Sequence, residues 1–126
     1  MWSPKLSDVL FLHEKLIERT GGAAGVRSFP LIESALGRFN ASFGGKEAHS
    51  TLEEKAAAVA CGLIQNHGFV DGNKRVGVAV LLLILRMNGL PSKYSKAELV
   101  RLGLSVAQGE MDVEEVTAWI LAEAIQ

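Results

Sequence analysis

The feature that most restricts the fold of this chain is a run of ten apolar residues and glycine, Val76 to Leu85, bounded by two arginines. A helix that is apolar on every side belongs inside a protein, and ten residues are far fewer than the roughly 20 that cross a bilayer. No stretch of any length alternates apolar with polar residues, so a β-sheet is not expected. The run therefore predicts a buried central helix in an all-α protein.

Five further helices are predicted from apolar residues that recur three and four positions apart. Their patterns cover residues 5–19, about 30–39, 51–67 and 95–108, and a last helix follows Asp112. Cap, start and stop signals mark their ends: Gly21-Gly22, Pro30, Asn88-Gly89-Leu90-Pro91, Gly109, and Asp112 with Glu115. We therefore expect a compact single-domain bundle of about six helices over residues 1–126, around the buried central helix.

Composition and charge exclude several classes of function. The net charge of −1 over 126 residues gives no general attraction to nucleic acid. The single cysteine, Cys61, allows no intrachain disulfide and cannot by itself hold a structural zinc ion. The first residues lack the basic region and apolar run of a signal peptide, so a cytoplasmic protein without membrane contact is expected.

The chemically richest stretch is HGFVDGNKR, residues 67–75, which lies between a predicted helix and the start of the central one. A helix N-terminus offers free backbone N–H groups and the positive end of the helix dipole, and so forms an anion site. Lys74 and Arg75 fall in the first turn, where their charge opposes the dipole. A bound polyphosphate would explain two cations in that position.

Two other residues of this stretch can take part in chemistry. His67 continues the apolar stripe of the preceding helix, which predicts an inward-facing ring, and it can accept a proton near neutral pH. Asp71 suits either an N-cap or a magnesium ligand. Phe69 is predicted to anchor the loop, and His13, in the apolar stripe of the first helix, to be structural. Each residue alone has an ordinary structural explanation, but their grouping ahead of a buried helix favours a site.

HGFVDGNKR resembles the Fic-domain motif H-x-F-x-D/E-G-N-G-R-x-x-R, and the matching residues are His67, Phe69, Asp71, Gly72, Asn73 and Arg75. Lys74 stands where adenylylating Fic enzymes have glycine, and Val78 stands where they have a second arginine. Both departures resemble the Doc (death-on-curing) branch, the toxins of toxin–antitoxin pairs. Residues 20–39 and the string GEMDVEEV extend the resemblance more weakly.

The resemblance implies a Doc-type toxin, an ATP-dependent kinase that phosphorylates a hydroxyl of a translation elongation factor and so blocks translation. It implies His67 as the general base and Asp71 as the Mg²⁺ ligand. The residues that it implies for binding the phosphates of ATP are Gly72, Asn73, Lys74 and Arg75, and the last two also count as catalytic. A glycine at position 74 would let phosphates lie against the backbone, whereas Lys74 fills that space and adds a charge.

The resemblance also implies two protein partners besides nucleotide and magnesium. One is the elongation factor, docked by a flap over residues 40–50 in which Phe43 and Lys46 are candidate contacts, although these residues fit a plain surface loop equally well. The other is a cognate antitoxin whose disordered tail folds into a groove near the site. Self-inhibited Fic proteins carry a helix S/T-x-x-x-E-G/N, but Lys55 follows Ser50 to Glu54 here, so restraint is expected from another chain.

Two alternatives remain open at this point. The family includes nucleotidyltransferases that attach AMP to a protein hydroxyl, although Lys74 and Val78 count against that chemistry. The third interpretation is a catalytically idle helical module that binds a partner protein or a nucleotide, since so apolar a small chain allows an exposed groove.

Overall fold

The computed structural model describes residues 1–90 and 93–124, and this part of the chain contains six helices and one short hairpin. The helices are α1 (Leu6–Thr20), α2 (Phe29–Gly37), α3 (Leu52–Asn66), α4 (Asn73–Met87), α5 (Lys96–Ala107) and α6 (Val113–Ala124). A 3₁₀ turn, Arg38–Asn40, follows α2. The predicted all-α bundle of about six helices is confirmed, whereas one domain over residues 1–126 stays a prediction.

A two-residue hairpin corrects the expectation that the chain forms no sheet. Strands β1 (Ser42–Phe43) and β2 (Lys46–Glu47) pair antiparallel around Gly44 and Gly45. Both glycines have positive φ, 58° and 80°, as the favoured two-residue hairpin turns require. Two residues per strand are too few to leave an alternating pattern in the sequence, which is why the hairpin could be predicted only as a turn or flap. Phe43 is 78% exposed on it.

The helix ends agree closely with the predicted signals. α1 ends at Thr20, and its C-cap is Gly21, whose φ of 82° suits glycine. Asp112 and Glu115 form the predicted reciprocal cap of α6, with side-chain-to-backbone distances of 2.9 and 3.3 Å. α4 ends at Met87 with Asn88 as its C-cap, and Pro91, the last residue of the predicted stop signal, lies outside the described residues.

The centre of the bundle is a pair of helices rather than α4 alone. α4 buries most of its predicted apolar run, while α3 buries ten consecutive residues, Lys55 to Ile64. The small side chains of α3 let its neighbours approach from every side: a Cβ on Gly62 would lie 2.9 Å from that of Ala35 on α2. Because alanine is weakly apolar, the sequence indicated only one apolar stripe on α3.

One charged side chain lies inside this core. Lys55 is 3% exposed, and its Nζ donates to the Phe39 carbonyl at 2.9 Å and to Glu47 Oε1 at 3.1 Å. A buried ammonium requires such partners, because its desolvation is otherwise costly. Since Glu47 belongs to β2, the ion pair fastens the hairpin to α3.

Cys61 is a small core residue, 1% exposed on α3. Burial raises the pKa of its thiol to about 11, so the group is protonated and a poor nucleophile near neutral pH. Within residues 1–90 and 93–124, no helix is both long and apolar enough to span a bilayer.

Candidate active site

His67 lies at the C-terminal end of α3 and is exposed to solvent. It is the C-cap of the helix, in the left-handed conformation with φ 52° and ψ 48°. The prediction of an inward-facing ring was therefore wrong. The helix ends at Asn66, so its three-and-four repeat does not continue to His67 and does not set the direction of that ring. An exposed imidazole is accessible to a second molecule, which a buried one would not be.

The loop after His67 is fixed by backbone contacts with the segment between α1 and α2. Gly68 accepts from the N–H groups of Arg27 at 2.8 Å and Ser28 at 2.9 Å, and Val70 donates to Gly25 at 3.1 Å. The Arg27 side chain adds a bond from Nε to the His67 carbonyl at 2.8 Å. These contacts hold the backbone of His67 in place while its ring remains free.

Phe69 and Asn73 are buried and fix the loop on the side that faces the core. Phe69 is 2% exposed, which confirms it as the anchor. The Asn73 amide accepts from the Phe69 N–H and donates to the Phe69 carbonyl, both at 3.0 Å. Because this amide is 9% exposed and bonded through both ends, its side chain is occupied within the protein. Asn73 was predicted to bind phosphate, and the group that remains available for this contact is its backbone N–H.

Replacing Asn73 by alanine is expected to lower the free energy of unfolding by about 2–4 kcal/mol, because two buried backbone groups of Phe69 lose their partner. Chemical denaturation of the purified variant measures this loss. Asn73→Asp tests the donor separately: it keeps an acceptor for the Phe69 N–H but sets a carboxylate oxygen against the Phe69 carbonyl, so a loss at least as large as that of the alanine variant is expected. An alanine variant as stable as wild type would contradict this role for the amide.

Asp71 lies beside the start of α4 but does not cap it. The N-cap is Gly72, and no side chain caps the helix there. Instead, Asp71 Oδ2 accepts from the Ala23 N–H at 3.1 Å and Oδ1 accepts from the Gly72 N–H at 2.7 Å. These bonds, the one to Ala23 first, hold the pKa of the carboxyl below its usual value, and the guanidinium of Arg75 adds to the effect.

The approach of the α1–α2 segment to this carboxylate requires a glycine. A Cβ on Gly22 would lie 2.5 Å from Asp71 Oδ2, and the φ of Gly22 is +110°. Arg75 reaches the same segment: its Nη1 donates to the Thr20 hydroxyl and to the Gly21 carbonyl at 2.9 Å, and its Nη2 lies 3.7 Å from Asp71 Oδ1. Asp71 and Arg75 therefore meet at the C-terminal end of α1.

Lys74 lies in the first turn of α4, as predicted, and is exposed. Lys74 and Arg75 line a cavity of about 700 Å³ between α1, α4 and α5. The rest of its lining is mainly apolar, with Leu16, Val78, Ala79, Leu82, Leu99, Val100 and Leu104. The site thus combines a cationic helix N-terminus with an adjoining apolar groove.

The donor set fits a magnesium–nucleotide complex. Asp71 is an ionised carboxylate whose side chain is 47% exposed, and each oxygen keeps acceptor capacity beyond its one backbone bond. In the described part of the chain no three or more His, Cys, Asp or Glu side chains group as a metal site. Mg²⁺ is commonly held by one or two carboxylates with substrate phosphates and water, and Asp71 offers that arrangement.

Three contributors to the site escaped analysis of the motif alone. Thr20 is the last residue of α1, Ala23 and Arg27 belong to the segment between α1 and α2, and each contacts the HGFVDGNKR stretch. The weaker resemblance over residues 20–39 already pointed to this segment, but no residue in it carries an isolated chemical signal. The structure brings His67, Asp71, Gly72, Lys74 and Arg75 onto one loop and the first turn of α4.

Comparisons with known proteins agree with the motif. The model of the Fic/DOC family matches residues 3–85, more than half of the chain. The chain is 34% identical over 100 residues to "Toxin Doc" of Mycolicibacterium smegmatis, covering 78% of this chain and 77% of that protein. It is 32% identical over 109 residues to "Protein kinase doc" of Escherichia phage P1, covering 86% and 85%. The resemblance first drawn from nine residues is thereby confirmed, and the chain belongs to the Fic/DOC family.

Proposed function

We propose that this protein is a Doc-type toxin that acts as a protein kinase, transferring the γ-phosphoryl group of ATP to a hydroxyl of a translation elongation factor. The observation that carries the proposal is the exposed His67 on a rigid loop that leads into the cationic N-terminus of α4. The relatives named as a Doc toxin and as a protein kinase support the class of activity.

Each residue has a role that follows from its environment. His67 takes the proton of the attacking hydroxyl, since its ring is exposed and its backbone is fixed. Asp71, whose Oδ1 accepts from the Gly72 N–H, would hold Mg²⁺, and the backbone N–H of Asn73 at the start of α4 would receive a phosphate oxygen. Lys74 and Arg75 stabilise negative charge on the group in transfer. The nucleotide supplies the phosphoryl group, and its magnesium ion neutralises charge on the phosphates.

Two surfaces suit the protein partners of such a toxin. The hairpin presents Phe43, 78% exposed, to solvent, and we assign it to docking of the target. The apolar groove beside Lys74 suits an amphipathic helix, a recognised mode for segments that fold on binding. We assign that groove to the tail of a cognate antitoxin, which would restrain the enzyme.

The experiment that tests the proposal is label transfer with purified protein, Mg²⁺ and a bacterial lysate, using ATP labelled on either the α or the γ phosphate. We expect one protein band to take label from the γ position and none from the α position. The His67→Ala protein is the control that shows how much labelling comes from kinases of the lysate. Label from the α position would instead establish nucleotidyl transfer, and no transfer from either would leave a binding module.

A further inference from the structure

A histidine outside the HGFVDGNKR stretch contacts the backbone of the candidate site. His13 lies on α1, is 4% exposed, and has its Nε2 2.7 Å from the carbonyl oxygen of Asp71. Its ring stacks on Phe69 with centroids 3.8 Å apart and an angle of 12° between the planes. The sequence predicted a structural histidine, and the burial agrees, but the partner is the peptide group next to the proposed metal ligand.

The chemistry of this contact fixes where the proton lies. A carbonyl oxygen can only accept, so His13 Nε2 must carry a hydrogen and donate it. The same nitrogen would lie 3.4 Å from a Cβ on Gly72, so the imidazole lies against both residues of the Asp71–Gly72 peptide. The next residue along the chain, Asn73, is the first residue of α4.

We propose that His13 is a positioning residue that orients the Asp71–Gly72 peptide and thereby sets the affinity of the site for Mg²⁺–ATP. The inference rests on the proposed function. The Nε2–H bond fixes the direction of the Asp71 carbonyl, and because the peptide is trans, the Gly72 N–H points the opposite way, where it donates to Asp71 Oδ1 and so holds the carboxylate. Second-layer hydrogen bonds of this kind commonly change metal affinity 10–100-fold when removed.

Two substitutions separate the hydrogen bond from the ring contact. His13→Phe keeps an aromatic ring on Phe69 but has no donor for the Asp71 carbonyl. His13→Gln loses the stacking but offers an amide N–H at a position comparable to Nε2. If His13 only fills space, phenylalanine is the better replacement, whereas if it positions the peptide, glutamine is.

The first readout is independent of nucleotide. Nitrogen NMR of wild-type protein should show a protonated Nε2 on His13, and the Gly72 amide, which is bonded to Asp71 Oδ1, should exchange about 10-fold faster in His13→Phe than in His13→Gln. The second readout is the Kd for Mg²⁺–ATP by calorimetry, expected to rise about 10-fold in His13→Phe and less than 3-fold in His13→Gln.

The outcomes distinguish this inference from the proposed function. Exchange rates and Kd unchanged in His13→Phe would overturn the positioning role, and so would a Kd that simply follows thermal stability across both variants. If wild-type protein binds no Mg²⁺–ATP, the ATP-dependent function fails, while the exchange rates still decide whether His13 orders the peptide.

Discussion

The His67→Ala variant is expected to lose phosphoryl transfer by about 10²–10⁴-fold, the usual contribution of a general base, and to be harmless when expressed without an antitoxin. Its free energy of unfolding should stay within about 0.5 kcal/mol of wild type, because the ring is exposed and the bonds of the loop involve other groups. Single-turnover label transfer measures the first effect, and denaturant titration measures the second.

His67→Asn is the matched control for the backbone, since asparagine tolerates the left-handed conformation that His67 adopts. It should be as inactive as the alanine variant while folding at least as well. A variant of either kind that transfers phosphate at the wild-type rate would remove His67 as the base. A loss of activity in the alanine variant alone would point to backbone strain rather than to missing chemistry.

The Gly77→Ala variant is expected to lose about 1–3 kcal/mol of unfolding free energy, the usual cost of overpacking a well-packed core. A Cβ at position 77 would lie 2.5 Å from Ile64 Cγ1 and 3.1 Å from the Ala60 carbonyl oxygen. Both neighbours belong to α3, which is enclosed on every side, so the two central helices must move apart. Urea or thermal unfolding measures the loss.

Gly37 provides the matched control, because it ends α2 with φ −62° and nothing lies within 4 Å of a Cβ placed there. Gly37→Ala removes the same flexibility without a clash, so a gain of about 0.4–1 kcal/mol is expected. Equal effects at the two glycines would mean that backbone entropy, rather than the contact of α3 with α4, decides the result at position 77.

Features that depend on neighbours in sequence could be predicted, because the information lies within a few residues. The six helices, the Asp112–Glu115 cap and the glycine at the end of α1 are of this kind. The grouping of Asp71 and Lys74 at the start of α4 follows from the same local logic. Phe69 was predicted as an anchor because an aromatic side chain in an otherwise polar loop is stabilised by packing against the core.

Features that depend on distant contacts could not be predicted. The ring of His67 was placed inward because the stripe of α3 was extended one residue beyond the helix. Asn73 was predicted to bind phosphate, but the bonds of its side-chain amide to the Phe69 backbone were not predicted. The bond from His13 joins residues 58 positions apart, and no local pattern records such a pair.

The left-handed backbone of His67 has a consequence for how this position evolves. Among the residues that the structure describes, it is the one non-glycine residue with positive φ, a conformation that costs most side chains roughly 1–2 kcal/mol. Selection for a stable fold alone would replace the histidine with glycine or asparagine. Under the proposed function, descendants that no longer act on a target should therefore drift to those two residues at position 67, whereas selection for a base would keep histidine there.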